Sequence, residues 1–147
     1  MEVLVLQQTL EAVRADLTAA EEPVAAGATD QAVRQAAERV RAALGADLPD
    51  AYGAFLRRHD GLDFDGIVFY ATAPREGFWQ GIVEANEAWR DAEENRELLV
   101  LGDDDMSLYS VDLDGRRPAK RDRVNGEVVE TYETIDAMID AALRTRL

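Results

Sequence analysis

The sequence has no cysteine, a single histidine and about half as many basic residues as acidic ones. Without cysteine there is no disulfide framework and no thiolate metal site. With His59 as the only imidazole, any histidine acid–base centre rests on that one residue. No Gly-x-Ser-x-Gly elbow, dinucleotide loop or phosphate-cradling Gly-x-x-x-x-Gly-Lys stretch occurs. No stretch approaches the ~20 apolar residues of a membrane helix. Val3–Leu6 is short, follows Glu2 and precedes Gln7-Gln8, unlike a secretory leader. These absences predict a cytoplasmic protein that uses no cofactor.

What is present is acid. The formal net charge is -14 over 147 residues, which repels nucleic acid and anionic membranes and attracts cationic partners. From Glu84 to Asp114 there are eleven acidic residues against Arg90 and Arg96, whereas residues 116–123 carry five basic residues against Asp122. A solvated, solubilising face explains such a run, as does a surface for a basic partner.

Apolar periodicity organises the chain as one domain, 1–147. Residues 1–28 form a helix and linker, and 29–147 form the core. Val3, Leu6, Leu10, Val13 and Leu17 predict an amphipathic helix, and residues 21–27 a linker. Thr29 or Asp30 caps a second helix with Val33, Ala36, Ala37, Val40 and Leu44 inside and Gly45 as its stop. Pro49 fits the first turn of a third helix, whose apolar face is Leu48, Tyr52, Phe55 and Leu56 and whose C′ glycine is Gly61. Strands follow at 67–70, 98–101 and 107–113, the last alternating as if half-buried. Between the first two, Phe78, Trp79, Ile82, Val83, Asn86 and Trp89 recur at helical spacing. Asn125-Gly126 marks a hairpin joining 120–124 to 127–132, and Thr134 caps a final helix. Helices, then antiparallel strands, then a helix give an α+β fold with helices packed on one side of the sheet.

Two clusters invite chemistry. Asp103-Asp104-Asp105 supplies hard oxygen ligands for a cation, the basis of a metal-dependent hydrolase reading. Consecutive aspartates on extended chain point to opposite faces, so a turn explains them better. Trp79, Phe78 and Trp89 are either core residues or interface anchors, and Trp89 suits the core.

The pattern L-P-x-x-Y-x-x-F-L-x-x-x-x-G at Leu48–Gly61 resembles the SMI1/KNR4 (SUKH) superfamily. The run DGLDFDGIVFYATAP, starting at Asp60, is most similar to its YrhA-like branch, with Asp60 where that branch usually has Asn. Trp89, the stretch Leu98–Leu113 and the closing helix follow in the family's order. The resemblance implies a non-enzymatic domain without catalytic residues. In bacteria it implies an immunity protein that neutralises a toxin. Joined to the charge, it predicts a basic toxin domain, such as a nuclease, held by an acidic face built from Glu84, Glu87, Asp91, Glu93, Glu94, Asp103, Asp104 and Asp105, with Trp79 as anchor. A general scaffold or regulator is the other binding role the resemblance allows.

Overall fold

The computed structural model describes residues 2–147, with side chains from Leu4 onward. The expected place of Val3 on an apolar stripe lies outside the described residues. The chain forms α1 (Glu2–Ala19), α2 (Asp30–Leu44), α3 (Asp50–Arg58), β1 (Leu62–Phe64), β2 (Ile67–Phe69), α4 (Ile82–Trp89), β3 (Leu98–Asp103), β4 (Ser107–Asp112), β5 (Ala119–Asp122), β6 (Val128–Thr131) and α5 (Ile135–Arg144). The six strands make one antiparallel sheet in chain order, an α+β meander.

The helices follow their apolar spacing. Leu6, Leu10, Val13 and Leu17 are buried along α1, which packs against α5. The Thr29 hydroxyl accepts from the Ala32 amide at 3.1 Å and caps α2, while Gly45 leaves the helix at φ 63°. Thr134 caps α5 through the Ala137 amide at 3.0 Å. Pro49 sits one residue earlier than expected, as the extended residue before α3. That helix ends through His59, so Gly61 is not its C′ residue. Gly61 has φ 87°, and a Cβ there would lie 2.8 Å from the Phe78 ring. Its role is to let Phe78 pack down on the chain.

The sheet departs from the sequence reading at three places. Leu62–Phe64 pairs with Ile67–Phe69 in a hairpin that was not expected. Asp65 and Gly66 turn it with φ of 49° and 87°, the double left-handed signature of a type I′ turn. Second, β4 is buried on both faces rather than one. Tyr109 lies on the side of Phe69 and Phe55. Its neighbour Leu108 pairs with Asp103 on the opposite side, where Trp89 reaches the sheet through Tyr70. Third, the β5–β6 connection is a longer loop built around Asp122, whose carboxylate accepts from the Val124 and Asn125 amides. Asn125-Gly126 is therefore part of that loop and not a two-residue turn.

Helix α4 starts at Ile82, so Phe78 and Trp79 belong to the preceding loop. The helix is joined to the sheet by Asn86, which is 1% exposed. The Asn86 side-chain amide donates to the Val100 carbonyl at 2.8 Å and accepts from the Val100 N–H at 2.8 Å. It supplies the hydrogen bonds that a neighbouring strand would supply, just before the β3 irregularity at Val100–Gly102. Replacing Asn86 with Ala leaves both Val100 groups buried and unpartnered. Urea unfolding should show a loss of about 2–4 kcal/mol; a loss below about 0.5 kcal/mol, the size of a neutral surface change, contradicts this role.

Candidate protein-binding surface

The expected acidic face divides into carboxylates with structural partners and carboxylates without them. Glu84 is half-buried and paired with Arg39. Asp103 accepts from the Tyr70 hydroxyl and pairs with Arg123 at 3.4 Å. Asp104 is buried. Its Oδ1 accepts from the Met106 and Ser107 amides at 2.9 and 2.7 Å, and its Oδ2 from the Tyr109 hydroxyl at 2.8 Å. Burial pushes the Asp104 carboxyl up, but those bonds and the Lys120 charge together hold it below the ordinary carboxylate range. At Asp103 burial dominates and raises the group.

Asp103 ends β3 and Asp104 and Asp105 open the turn to β4, which corrects the triplet's expected place in a continuous exposed face. Only Asp105 is open to solvent, with Arg146 at 3.6 Å. A cation at Asp104 would have to displace three donors. Among the described residues no three acidic or histidine side chains converge as ligands.

Glu87, Asp91, Glu93, Glu94 and Glu97 behave differently. They follow one another along α4 and the short 3₁₀ turn Glu93–Asn95, all are exposed, and none has an ion pair among the described residues. The two local arginines do not neutralise them. Arg90 donates to the Leu44 and Leu98 carbonyls at 2.9 and 3.2 Å, and Arg96 to the Arg90 carbonyl at 3.1 Å. These guanidiniums satisfy backbone and leave the carboxylates facing water.

Trp79 is 74% exposed, whereas Phe78 beside it is buried. On extended chain adjacent side chains point to opposite sides, so the loop turns one aromatic inward and presents the other. The loop is well tied. Arg75 and Phe78 exchange backbone bonds of 2.8 and 2.9 Å, the Ala71 amide donates to Gln80 at 3.0 Å, and the Asp60 carboxylate accepts from the Thr72 amide and hydroxyl at 2.8 and 3.0 Å. Trp89, by contrast, is half-buried, donates from Nε1 to the Tyr70 hydroxyl at 2.7 Å and carries Arg123 over its ring at 4.9 Å.

One concave feature was not anticipated. A groove of about 830 Å³ runs between residues 22–27, the β1–β2 hairpin and the Arg75–Phe78 turn. The supposed linker is its wall. The Asp60 amide donates to Ala26 at 2.9 Å and the Ala28 amide to Leu56 at 2.8 Å. A Cβ on Gly27 would fall 1.9 Å from the Arg57 carbonyl, so the strap lies directly against the end of α3. The only early signs of this groove were the acidic pairs Glu21-Glu22 and Asp63/Asp65, which lie far apart in sequence.

His59 is 3% exposed and its Nδ1 has no partner. Burial, then the Arg14 and Arg58 charges, lower its pKa to about 4, so it is neutral at pH 7. It packs by the Phe55 ring, at 6.1 Å between centroids, and belongs to the core. No described helix is long and apolar enough to cross a membrane.

The model of the SMI1 / KNR4 family (SUKH-1) matches residues 27–141. No curated protein matches the chain by sequence.

The histidine has a measurable consequence. The unfolded chain takes up a proton near pH 6.5 and the folded one only near 4, so its stabilising effect is complete above about 6.5 and is lost as pH falls to about 4. Across that window wild type should lose on the order of 2–3 kcal/mol more than His59→Leu in chemical denaturation. Parallel pH curves for the two proteins would place His59 outside the acid response.

Proposed function

The chain belongs to the SMI1/KNR4 (SUKH-1) family, and from that membership we propose that it is a protein-binding module rather than an enzyme: an immunity protein that holds and neutralises a cationic toxin domain. The family is known for immunity proteins of toxin systems. Within it, the run from Asp60 to Pro74 supports placement in the YrhA-like branch. The cytoplasm is the compartment this role assigns to it.

The observation that carries the reading is the unpaired acidic segment at Glu87, Asp91, Glu93 and Glu94. Five charged side chains ending at Glu97 have no ion pair among the described residues. Like charges held along one short segment repel one another, and a cationic partner relieves that repulsion. Such a segment accelerates encounter and favours basic partners. Trp79 supplies an exposed aromatic of the kind that anchors interfaces. The runner-up, a hydrolase using Asp103–Asp105, has less support because Asp104 is committed to the turn.

Affinity capture with the tagged chain from its native lysate tests the reading. The expected product is a basic protein retained at low ionic strength and released at high, whose toxicity the chain suppresses on co-expression. Converting Glu87, Asp91, Glu93 and Glu94 to Lys should slow its association by about 10-fold or more and flatten the salt dependence. Trp79→Ala should instead raise the dissociation rate by about 10-fold. Association indifferent to both salt and charge reversal would refute the acidic surface.

A further inference from the structure

The unanticipated groove is also acidic, and it is built differently from the exposed segment. Its floor is apolar, with Leu17, Val24, Leu62 and Phe78 among the lining residues. Its rim carries Glu22, Asp63, Asp65 and Glu76, all exposed and without ion pairs among the described residues. Among the described residues the only cation lining it is the chain's own Arg75. That guanidinium lies 4.8 Å from the Phe78 ring centroid and 3.8 Å from Asp60. An aromatic face with a carboxylate beside it is a recognition geometry for guanidinium.

We propose that this groove docks an extended arginine-rich segment of the protein's partner, in addition to the contact with the exposed acidic run. The inference rests on the protein-binding reading above and names the chemistry of the segment. The volume is that of a site for side chains and not for a folded domain. The apolar floor accepts the methylene stems of arginine while the rim carboxylates take the heads. The long Arg75–Asp60 pair is weak enough for an incoming guanidinium to replace it. A second copy of the chain is a poor occupant. Its net charge of -14 repels, and three residues of its basic run are already engaged, Arg117 on Asp112, Arg121 on the Gly126 carbonyl and Arg123 on Asp103.

Calorimetric titration of the full chain with an oligoarginine peptide tests this against a pure charge effect. One variant combines Glu22→Gln, Asp63→Asn, Asp65→Asn and Glu76→Gln. A control combines Glu87→Gln, Asp91→Asn, Glu93→Gln and Glu94→Gln and removes the same number of charges. Asn suits the left-handed backbone at position 65. The groove variant should bind at least about tenfold more weakly and the control less than about threefold. Equal weakening would overturn the proposal, since net charge alone would then account for binding. Loss of wild-type self-association in the groove variant, seen by sedimentation, would reassign the groove to a second copy and also overturn it. The two readings separate with the captured protein. If it binds the groove variant as tightly as wild type, the groove proposal fails and the immunity reading stands. If no cationic protein is captured while the peptide still singles out the groove, the site's preference for arginine stands and the immunity reading falls.

Discussion

The hydrogen bonds between the Asn86 side chain and both polar groups of Val100 hold the candidate binding surface in place. Strand β2 pairs with β3 at Val68–Asp103 and Phe69–Gly102, and one further bond runs from the Tyr70 amide to the Leu101 carbonyl. Below that point β3 has an edge inside the fold, and a buried edge with unmet hydrogen bonds is costly. Asn86 meets that need at Val100, Arg90 at the end of α4 meets it at the Leu98 carbonyl, and together they fix the helix against the sheet. The loop before α4 carries Trp79 and one wall of the groove. The segment after it carries the unpaired carboxylates. Both are positioned by the helix that Asn86 anchors.

The distribution of acid across the surface follows from which carboxylates the fold uses. Asp104 closes the β3–β4 turn, Asp103 receives Tyr70, Asp60 ties down Thr72 and Glu84 meets Arg39. Each has given its lone pairs to a neighbour. Glu87, Asp91, Glu93 and Glu94, like Asp63, Asp65, Glu22 and Glu76, have given theirs to water. Local arginines do not change this, because Arg90 and Arg96 bond to carbonyls. A chain with such a negative charge tolerates self-repulsion at the expense of stability. That expense is understandable if a cationic surface meets the open carboxylates.

Much of the fold was legible because helices announce themselves twice, by period and by cap. Val33, Val40 and Leu44 with Thr29 and Gly45 left little freedom for α2, and Thr134 with Ile135, Met138 and Ile139 left little for α5. The strands were less legible where tertiary contacts overrode pattern. Leu62–Phe64 is too short to alternate convincingly, although Asp65-Gly66 is a strong turn signal in retrospect. Alternation in β4 suggested one wet face, yet tertiary packing buries both. Phe78 and Trp79 continued the helical spacing of α4 until Gly77 and Gly81 broke it. The site was legible only in part. Exposed acid along 87–94 follows from composition, whereas the triplet at 103–105 looked equally acidic and is mostly structural. The groove was not legible, since its walls come from three segments that only the folded chain brings together.

The division between committed and open carboxylates is the centre of this account, and it is measurable without a partner. Relaxation enhancement of backbone amides by a cationic and by an anionic nitroxide cosolute reports the local potential residue by residue. A strong excess of the cationic probe is expected at residues 87–97 and around Asp63, Asp65 and Glu76, with a much smaller excess at Asp103 and Asp104. A uniform excess over the whole surface, or a maximum at Asp103–Asp105, would contradict the account.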